Sequence, residues 1–453
     1  MSQLGLIISD RPKQVEKDVT LPEIDPQSQR QFAVEIVRKL RAGGFEALWA
    51  GGCVRDQLLG RVPKDFDVAT TATPVEIREL FSMRRTIAIG AAFGVITVLG
   101  PKEAGQIEVA TFRQDAAYSD GRHPDSVQFS TPQADALRRD FTINGLFFDP
   151  LEDRVIDYVG GQDDLVRGIV RAIGDPRDRF AEDKLRLLRA VRFAATLGFA
   201  LEPATRDAVE SMAAEITVVS AERIAAEMRL MLVHSSRAQA VILLREVGLL
   251  DVILPEFKTA SATEALTCTG RRADEAWLVT LEVLQVLAGG GLPTALASLL
   301  HAFVEEQHVE DICRRWKLSN RETERTRWLI ENLTALTHAR QAAWPRLQRI
   351  LISDGIQDLL TLHEAIATAM GQSSDDVRYC RDRLEMPREE LDPLPLLTGS
   401  DLIAHGVPRG KQYQWLLEAV RDAQLEKRIS NRTEALALVD QLLADRGTPP
   451  ELD

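Results

Sequence analysis

The stretch Gly51-Gly52-Cys53-Val54-Arg55-Asp56, followed by Asp65-Phe66-Asp67, constrains this chain more than any other. A Gly-Gly turn has no Cβ in the way of a bulky anion, so the backbone can approach one closely. Side chains on a strand repeat every second residue, so Asp65 and Asp67 project from one face. Two carboxylates held on one face repel unless a cation lies between them, and Mg2+ prefers such oxygen ligands. A glycine cradle beside a two-carboxylate clamp meets the physical requirement of metal-assisted nucleotidyl transfer.

At 453 residues the chain is too long for one ordinary core, so several subdomains are expected. No apolar run is long enough to span a bilayer, and the charged N-terminal stretch is too polar for a secretory signal. Cys53, Cys268, Cys313 and Cys380 form no CxxC pair and read as reduced, buried thiols, which points to the cytoplasm. The net charge of −13 argues against a nucleic-acid partner only on average. Cations gather at Arg138-Arg139, Arg167, Arg171, Arg177, Arg179, Lys184, Arg186, Arg189 and Arg192, enough for a local basic cleft.

Residues 1–28, broken by prolines, read as a loosely ordered tail. Apolar spacing predicts a helix from Ser28 to Gly43, and Ala47–Ala50 reads as a strand entering the Gly-Gly turn. A short helix over Val54–Leu59 follows, then a strand over Phe66–Ala69 with Asp65 at its entry. Thr73-Pro74 with Glu76 behind it marks a helix start. Further strands are expected at Phe93–Leu99, Ile107–Phe112 and Val155–Tyr158, with a polar loop from Arg113 to Ser126. From about Arg177 the pattern is helical, without internal repeats. The fold class is therefore α+β, a small mixed β-sheet followed by an all-helical remainder.

Three constellations carry chemistry. Glu108, at a polar position of its strand, can lie beside Asp65 and Asp67 as a third carboxylate, or stand as a surface glutamate. In Arg138-Arg139-Asp140-Phe141-Thr142-Ile143-Asn144 the apolar residues pin the segment, leaving Arg139, Asp140 and Asn144 to face a triphosphate and ribose; an amphipathic helix explains the same pattern less well. In the run from Glu182 to Phe193, Asp183, Arg186, Arg189 and Arg192 drift slowly round one helical face, while Leu185, Leu188, Val191 and Ala195 point inward. Such a row is either a salt-bridged surface or an acceptor and donor fork for a base edge, with further arginines for phosphates.

These segments together resemble the bacterial tRNA nucleotidyltransferase/poly(A) polymerase family, class II of its superfamily. The likeness runs from about Leu48 to Met231, with Arg223-Ile224-x-x-Glu227 similar to the last neck motif and a weaker likeness over Leu397–Ala435. The resemblance implies an N-terminal nucleotidyltransferase head (29–170), a base-recognising neck (171–236), a body (237–394) and an RNA-binding tail (395–453). It implies Asp65 and Asp67 as Mg2+ ligands, and Gly51, Gly52 and Arg55 at the triphosphate. It also implies Arg139 in a second nucleotide-binding motif, Asp183 and Arg186 reading the base of CTP or ATP, and Arg189 and Arg192 as further nucleotide contacts. Phosphoryl transfer without a covalent enzyme intermediate follows from the same likeness.

The activity so implied is template-independent addition of CCA to the tRNA 3′ end, with no membrane and no obligate protein partner. Poly(A) polymerase and A-only addition are the alternatives within the family. The Arg113–Ser126 loop resembles the element that full CCA-adding members need for passing from CTP to ATP. His301 is followed by alanine where a phosphohydrolase relative carries His-Asp, which argues against hydrolase chemistry. Trp316 and Trp328, flanked by arginines, either grip RNA backbone or fill the core.

Overall fold

Each half of the chain is organised by which surfaces its elements must bury. The computed structural model describes residues 24–115, 127–258 and 266–445. Two compact units divide between Asp175 and Pro176.

The N-terminal unit begins with helix α1 (Pro26–Ala42), capped by the Asp25 carboxylate, which accepts from the Ser28 N–H at 2.8 Å. It starts two residues before the expected Ser28; of the expected tail, residues 1–23 lie outside the described residues. The apolar stripe of α1, Phe32, Ile36, Val37 and Leu40, is buried as its spacing requires.

Along the chain the strands are β1 (Ala47–Ala50), β2 (Asp67–Thr70), β3 (Thr86–Ile87), β4 (Val95–Leu99), β5 (Gln106–Thr111), β6 (Arg113–Asp115), β7 (Val127–Phe129), β8 (Leu146–Asp149) and β9 (Arg154–Asp157). Seven of them form one sheet in the order β3-β4-β5-β2-β1-β8-β9. β2 and β5 run parallel; the neighbouring pairs for which register is defined are antiparallel. A parallel pair needs a crossover, which helix α3 (Pro74–Phe81) and strands β3 and β4 provide between β2 and β5. The head is thus a mixed α+β unit, as expected. Thr73 and Glu76 form the capping box that starts α3.

Strands β3, β6, β7 and β8 are additions to the expected set. β8 is buried along its whole length and reads as a plain apolar run, without the alternation that marks a strand. Arg113–Asp115, expected as the start of a loop, pairs antiparallel with β7 as β6, and residues 116–126 of that loop lie outside the described residues.

The helices flanking the sheet are α2 (Gly52–Leu58), α4 (Pro132–Leu137) and α5 (Gly161–Arg167). The α5 N-terminus presses against Thr142–Asn144: a Cβ on Gly161 would stand 2.2 Å from the Thr142 carbonyl oxygen.

The C-terminal unit is mostly helical, from α6 (Pro176–Glu182), α7 (Leu185–Leu197), α8 (Pro203–Met212), α9 (Ala221–Leu232) and α10 (Arg237–Glu246) to a last helix at Arg432–Asp445. The expectation of an all-helical region is corrected, among the described residues, by a two-residue strand at Ala200–Leu201 and an isolated β-bridge between Leu266 and Arg272. Leu397, Leu402, Leu416, Val420, Ala435 and Val439 close a separate core near its end. Among the described residues no helix is long and apolar enough to cross a membrane.

Several side-chain expectations are settled by burial. Cys53, Cys313 and Cys380 are buried and free, but Cys268 is exposed. His301 is buried with Nδ1 2.8 Å from the Ser298 carbonyl, and burial pushes its pKa below the ordinary histidine value. Trp316 is buried and Arg315 pairs with Glu256, so this tryptophan fills the core instead of presenting a stacking platform. Trp328 packs on Gly355, where a Cβ would meet its ring at 2.4 Å.

Because backbone opposes a side chain at position 161, Gly161→Ala is expected to lower stability by about 1–3 kcal/mol through forced displacement of Thr142–Asn144. Urea denaturation of the variant against wild type checks this.

Candidate active site

The turn between β1 and α2 is where the head brings its polar groups together. Gly51 has φ +73°, a left-handed value that favours glycine, and its N–H donates to the Leu146 carbonyl of β8 at 3.0 Å. A Cβ there would stand 2.8 Å from the Arg139 guanidinium, so glycine makes room for that cation. Gly52 begins α2 with no neighbour nearer to a Cβ than Arg55 at 3.7 Å.

Arg55, one turn into α2, donates through NH1 to Asn144 Oδ1 at 2.7 Å and through Nε to Asp56 at 2.8 Å. Asn144 Nδ2 in turn donates to Asp140 Oδ1 at 3.0 Å, and the Phe141 N–H donates to the same oxygen at 2.8 Å. Asp140 and Asn144 are buried, so both act inside this chain of bonds. Arg139 donates to the Asn144 carbonyl at 3.3 Å.

The carboxylates meet at the start of β2. Asp67 is its first residue and Glu108 is its register partner on β5; Asp65 lies two residues earlier, outside the strand. Glu108 is exposed between buried Ile107 and Val109, so it points to the face opposite the core. Asp67 is open to solvent at its tip yet hemmed in by protein. That desolvation, reinforced by Glu108, opposed by Arg139 and reinforced again by Asp65, pushes its carboxyl up to about 6. The Cys53 thiol, pushed up to about 11 chiefly by burial, lies against Asp67 as well.

In the C-terminal unit the charged run is interrupted. α6 ends at Glu182 and α7 begins at Leu185, leaving Asp183 in the joint, where its Oδ1 accepts from the Leu185 N–H at 3.0 Å. The expected continuous helix breaks because a short carboxylate offers the backbone a competing partner. Asp183 and Arg186 are not paired with each other. Asp183 is gripped at both oxygens by Arg223 of α9, at 3.1 and 2.7 Å. Arg186 donates to Glu182 and to the Arg179 carbonyl.

Arg192 donates to Glu227 of α9 at 2.5 Å, and Arg189 lies 3.9 Å from the other Glu227 oxygen. Beneath this row Leu185, Leu188, Val191 and Ala195 are buried, as the spacing predicts. Arg223 and Glu227, one turn apart on α9, thus hold Asp183 and Arg192 from behind.

Comparison with known proteins agrees with this arrangement. Residues 47–171 match the model of the poly A polymerase head domain, 198–261 that of the RNA and SrmB-binding site of polymerase A, and 294–439 that of tRNA nucleotidyltransferase domain 2. The CCA-adding enzyme of Lactiplantibacillus plantarum is 31% identical over 92% of this chain and 97% of its own length. The chain belongs to the CCA-adding tRNA nucleotidyltransferase family. The Geobacillus stearothermophilus CCA-adding enzyme is 32% identical over 90% of this chain and 95% of its own. The crystal structure of the Bacillus stearothermophilus CCA-adding enzyme in complex with CTP superposes with a TM-score of 0.72 at 28% identity, covering 92% of this chain and 98% of that one.

This nucleotidyltransferase family is metal-dependent. The donors at β2 are hard carboxylate oxygens, which suit a hard divalent cation and not a soft one. Among the described residues no group of three or more His, Cys, Asp or Glu side chains encloses a metal ion.

The residues singled out at the turn, Gly51, Gly52, Arg55, Arg139, Asp140 and Asn144, form one bonded neighbourhood, and Asp67 feels Asp65, Glu108 and Arg139. Missing from the sequence reading was Asp135, the buried partner of Arg138 and Arg139. Its signal was present as the i,i+3 and i,i+4 spacing to the two arginines.

The raised carboxyl of Asp67 has a signed consequence. With a folded pKa near 6 against an ordinary 3.8, the ionised form is disfavoured in the native state, so it costs stability at pH 7. That cost fades as pH falls through 6. Without divalent cations, Asp67→Asn is expected to melt above wild type at pH 7, to keep about half of that advantage at pH 5 and to lose it as pH falls to the ordinary carboxylate value of 3.8, measured by thermal denaturation across that range.

Proposed function

We propose that this protein adds CCA, without a template, to the 3′ end of tRNA, consuming CTP and ATP and releasing pyrophosphate. The carrying observation is its relation over nearly the whole chain to CCA-adding enzymes, one of them similar in structure and solved with CTP. The clamp at β2 and the bonded turn beside it supply chemistry that suits the reaction.

In this reading Asp65 and Asp67 hold Mg2+, with Glu108 beside them as a third negative charge. Bound there, the ion supplies Lewis-acid stabilisation of charge on phosphate oxygens. Gly51 and Gly52 leave the backbone open to the triphosphate, and Arg55 and Arg139 meet its charge with donors already oriented by Asn144. Asp140 acts one step behind, orienting Asn144.

Asp183 and Arg186 read the base edge. Cytosine N4 and adenine N6 both carry amino donors that a carboxylate accepts, whereas the guanidinium donates to ring nitrogens and carbonyls. Uracil and guanine present a carbonyl at the corresponding position, and a carboxylate repels it. Arg189 and Arg192 add phosphate contacts. Residues 29–170, 171–236, 237–394 and 395–453 serve as head, neck, body and RNA-binding tail, and the reaction is cytoplasmic.

The test is sequencing of products from a tRNA transcript ending at the discriminator base, incubated with Mg2+, CTP and ATP. Addition ending at a single CCA is expected. A long A tract would make the protein a poly(A) polymerase, and extension only of a transcript already ending in CC would make it an A-adding enzyme. Asp65→Ala should keep the wild-type circular dichroism and lose incorporation by about 10³-fold or more, the scale of losing a main charge-stabilising contact. Normal turnover in that variant removes the metal assignment.

A further inference from the structure

Asp135 is 1% exposed, on α4, yet it stays ionised in a site where a lone carboxylate would be costly. Burial alone would push its carboxyl up, but the charges of Arg139 and Arg138 and their hydrogen bonds bring it below the usual range. Each oxygen serves one guanidinium. Oδ2 accepts from Arg139 Nε at 3.2 Å and NH2 at 2.9 Å; Oδ1 accepts from Arg138 Nε at 2.9 Å and NH2 at 2.7 Å.

Gripping Arg139 by its Nε–NH2 edge decides where the third nitrogen goes. NH1 is turned to the Asn144 carbonyl at 3.3 Å and to the space that a Gly51 Cβ would occupy, while the ring of Phe147 lies 5.2 Å beneath the guanidinium. A planar fork held along one edge and stacked on a ring has little freedom left.

We propose that Asp135 is a positioning residue for nucleotide binding, whose buried carboxylate fixes the Arg139 guanidinium at the Gly51 turn. This rests on the reading that Arg139 meets the triphosphate. It makes a prediction opposite to simple electrostatics. Removing a negative charge beside two arginines should by charge alone tighten the binding of an anion. If Asp135 works by orientation, its loss must loosen binding although the site has become more positive.

The experiment measures KM and kcat for CTP and ATP, and the CTP dissociation constant by calorimetry, in the full-length protein with melting temperatures in parallel. Asp135→Asn is expected to raise KM and the dissociation constant about tenfold, the weight of one lost charge-assisted hydrogen bond, with kcat changed less. Arg139→Lys keeps a charge at the turn but cannot span Asp135 and Asn144 together, so it should show a similar rise. The double variant should add little beyond either single one.

Unchanged or tighter CTP binding in folded Asp135→Asn overturns the proposal, as does full additivity in the double variant. Should Asp135→Asn not fold, Asp135→Glu is the readable variant. It keeps the charge and lengthens the arm, so weaker CTP binding supports positioning and unchanged binding overturns it. Arg139→Ala separates the two layers: if it leaves CTP affinity intact, the reading of Arg139 fails. If it weakens binding while the Asp135 variants do not, only the positioning role of Asp135 fails.

Discussion

The parallel register between β2 and β5 sets Asp67 beside Glu108, and Asp65, two residues before the strand, adds its charge. Desolvation by the surrounding protein, and after it the like charge of Glu108, lifts the Asp67 carboxyl to about 6. The head tolerates the arrangement because Arg139 stands near enough to offset part of the repulsion. The turn at Gly51, the hydrogen bonds of Asn144 and the buried Asp135 each help to keep that arginine in place. A strand register and one guanidinium thus connect the carboxylates at β2 with the polar groups of the Gly51 turn.

The C-terminal unit follows the same logic with different parts. Asp183 in the joint before α7 and Arg192 on α7 are backed by Arg223 and Glu227 on α9. Each of these part-buried charges is held by an opposite charge on α9, so its side chain is ordered by the fold itself. The shared arrangement is a polar side chain at the front and a buried or half-buried counter-charge one layer deeper.

Much of this was legible without coordinates. The α1 stripe, the β1 strand entering the Gly-Gly turn, the α3 start at Thr73-Pro74 and the inward face of α7 all follow from local periodicity and capping chemistry. Glu108 beside Asp67 was legible as one of two options, since alternation says which face a residue takes but not which strand lies next to it. β8 was missed because a strand buried throughout shows no alternation. The break at Asp183 was missed because helical spacing continues through it, and only the carboxylate's bond to the Leu185 N–H ends the first helix.

What the sequence by itself determined is the set of chemical groups and their local geometry. It placed a glycine turn before a helix, two carboxylates on one side of an extended segment, and a row of arginines on one helical face, all governed by residues within a turn or two of each other. Tertiary structure alone decided which distant groups complete them: Glu108 against Asp67, Asn144 against Arg55, Arg223 against Asp183 and Glu227 against Arg192. The physical reason is that strand order and helix packing are set by burial of apolar surface summed over a whole unit. A charged pair brought together by that packing leaves no periodic trace in either of the two segments that supply it.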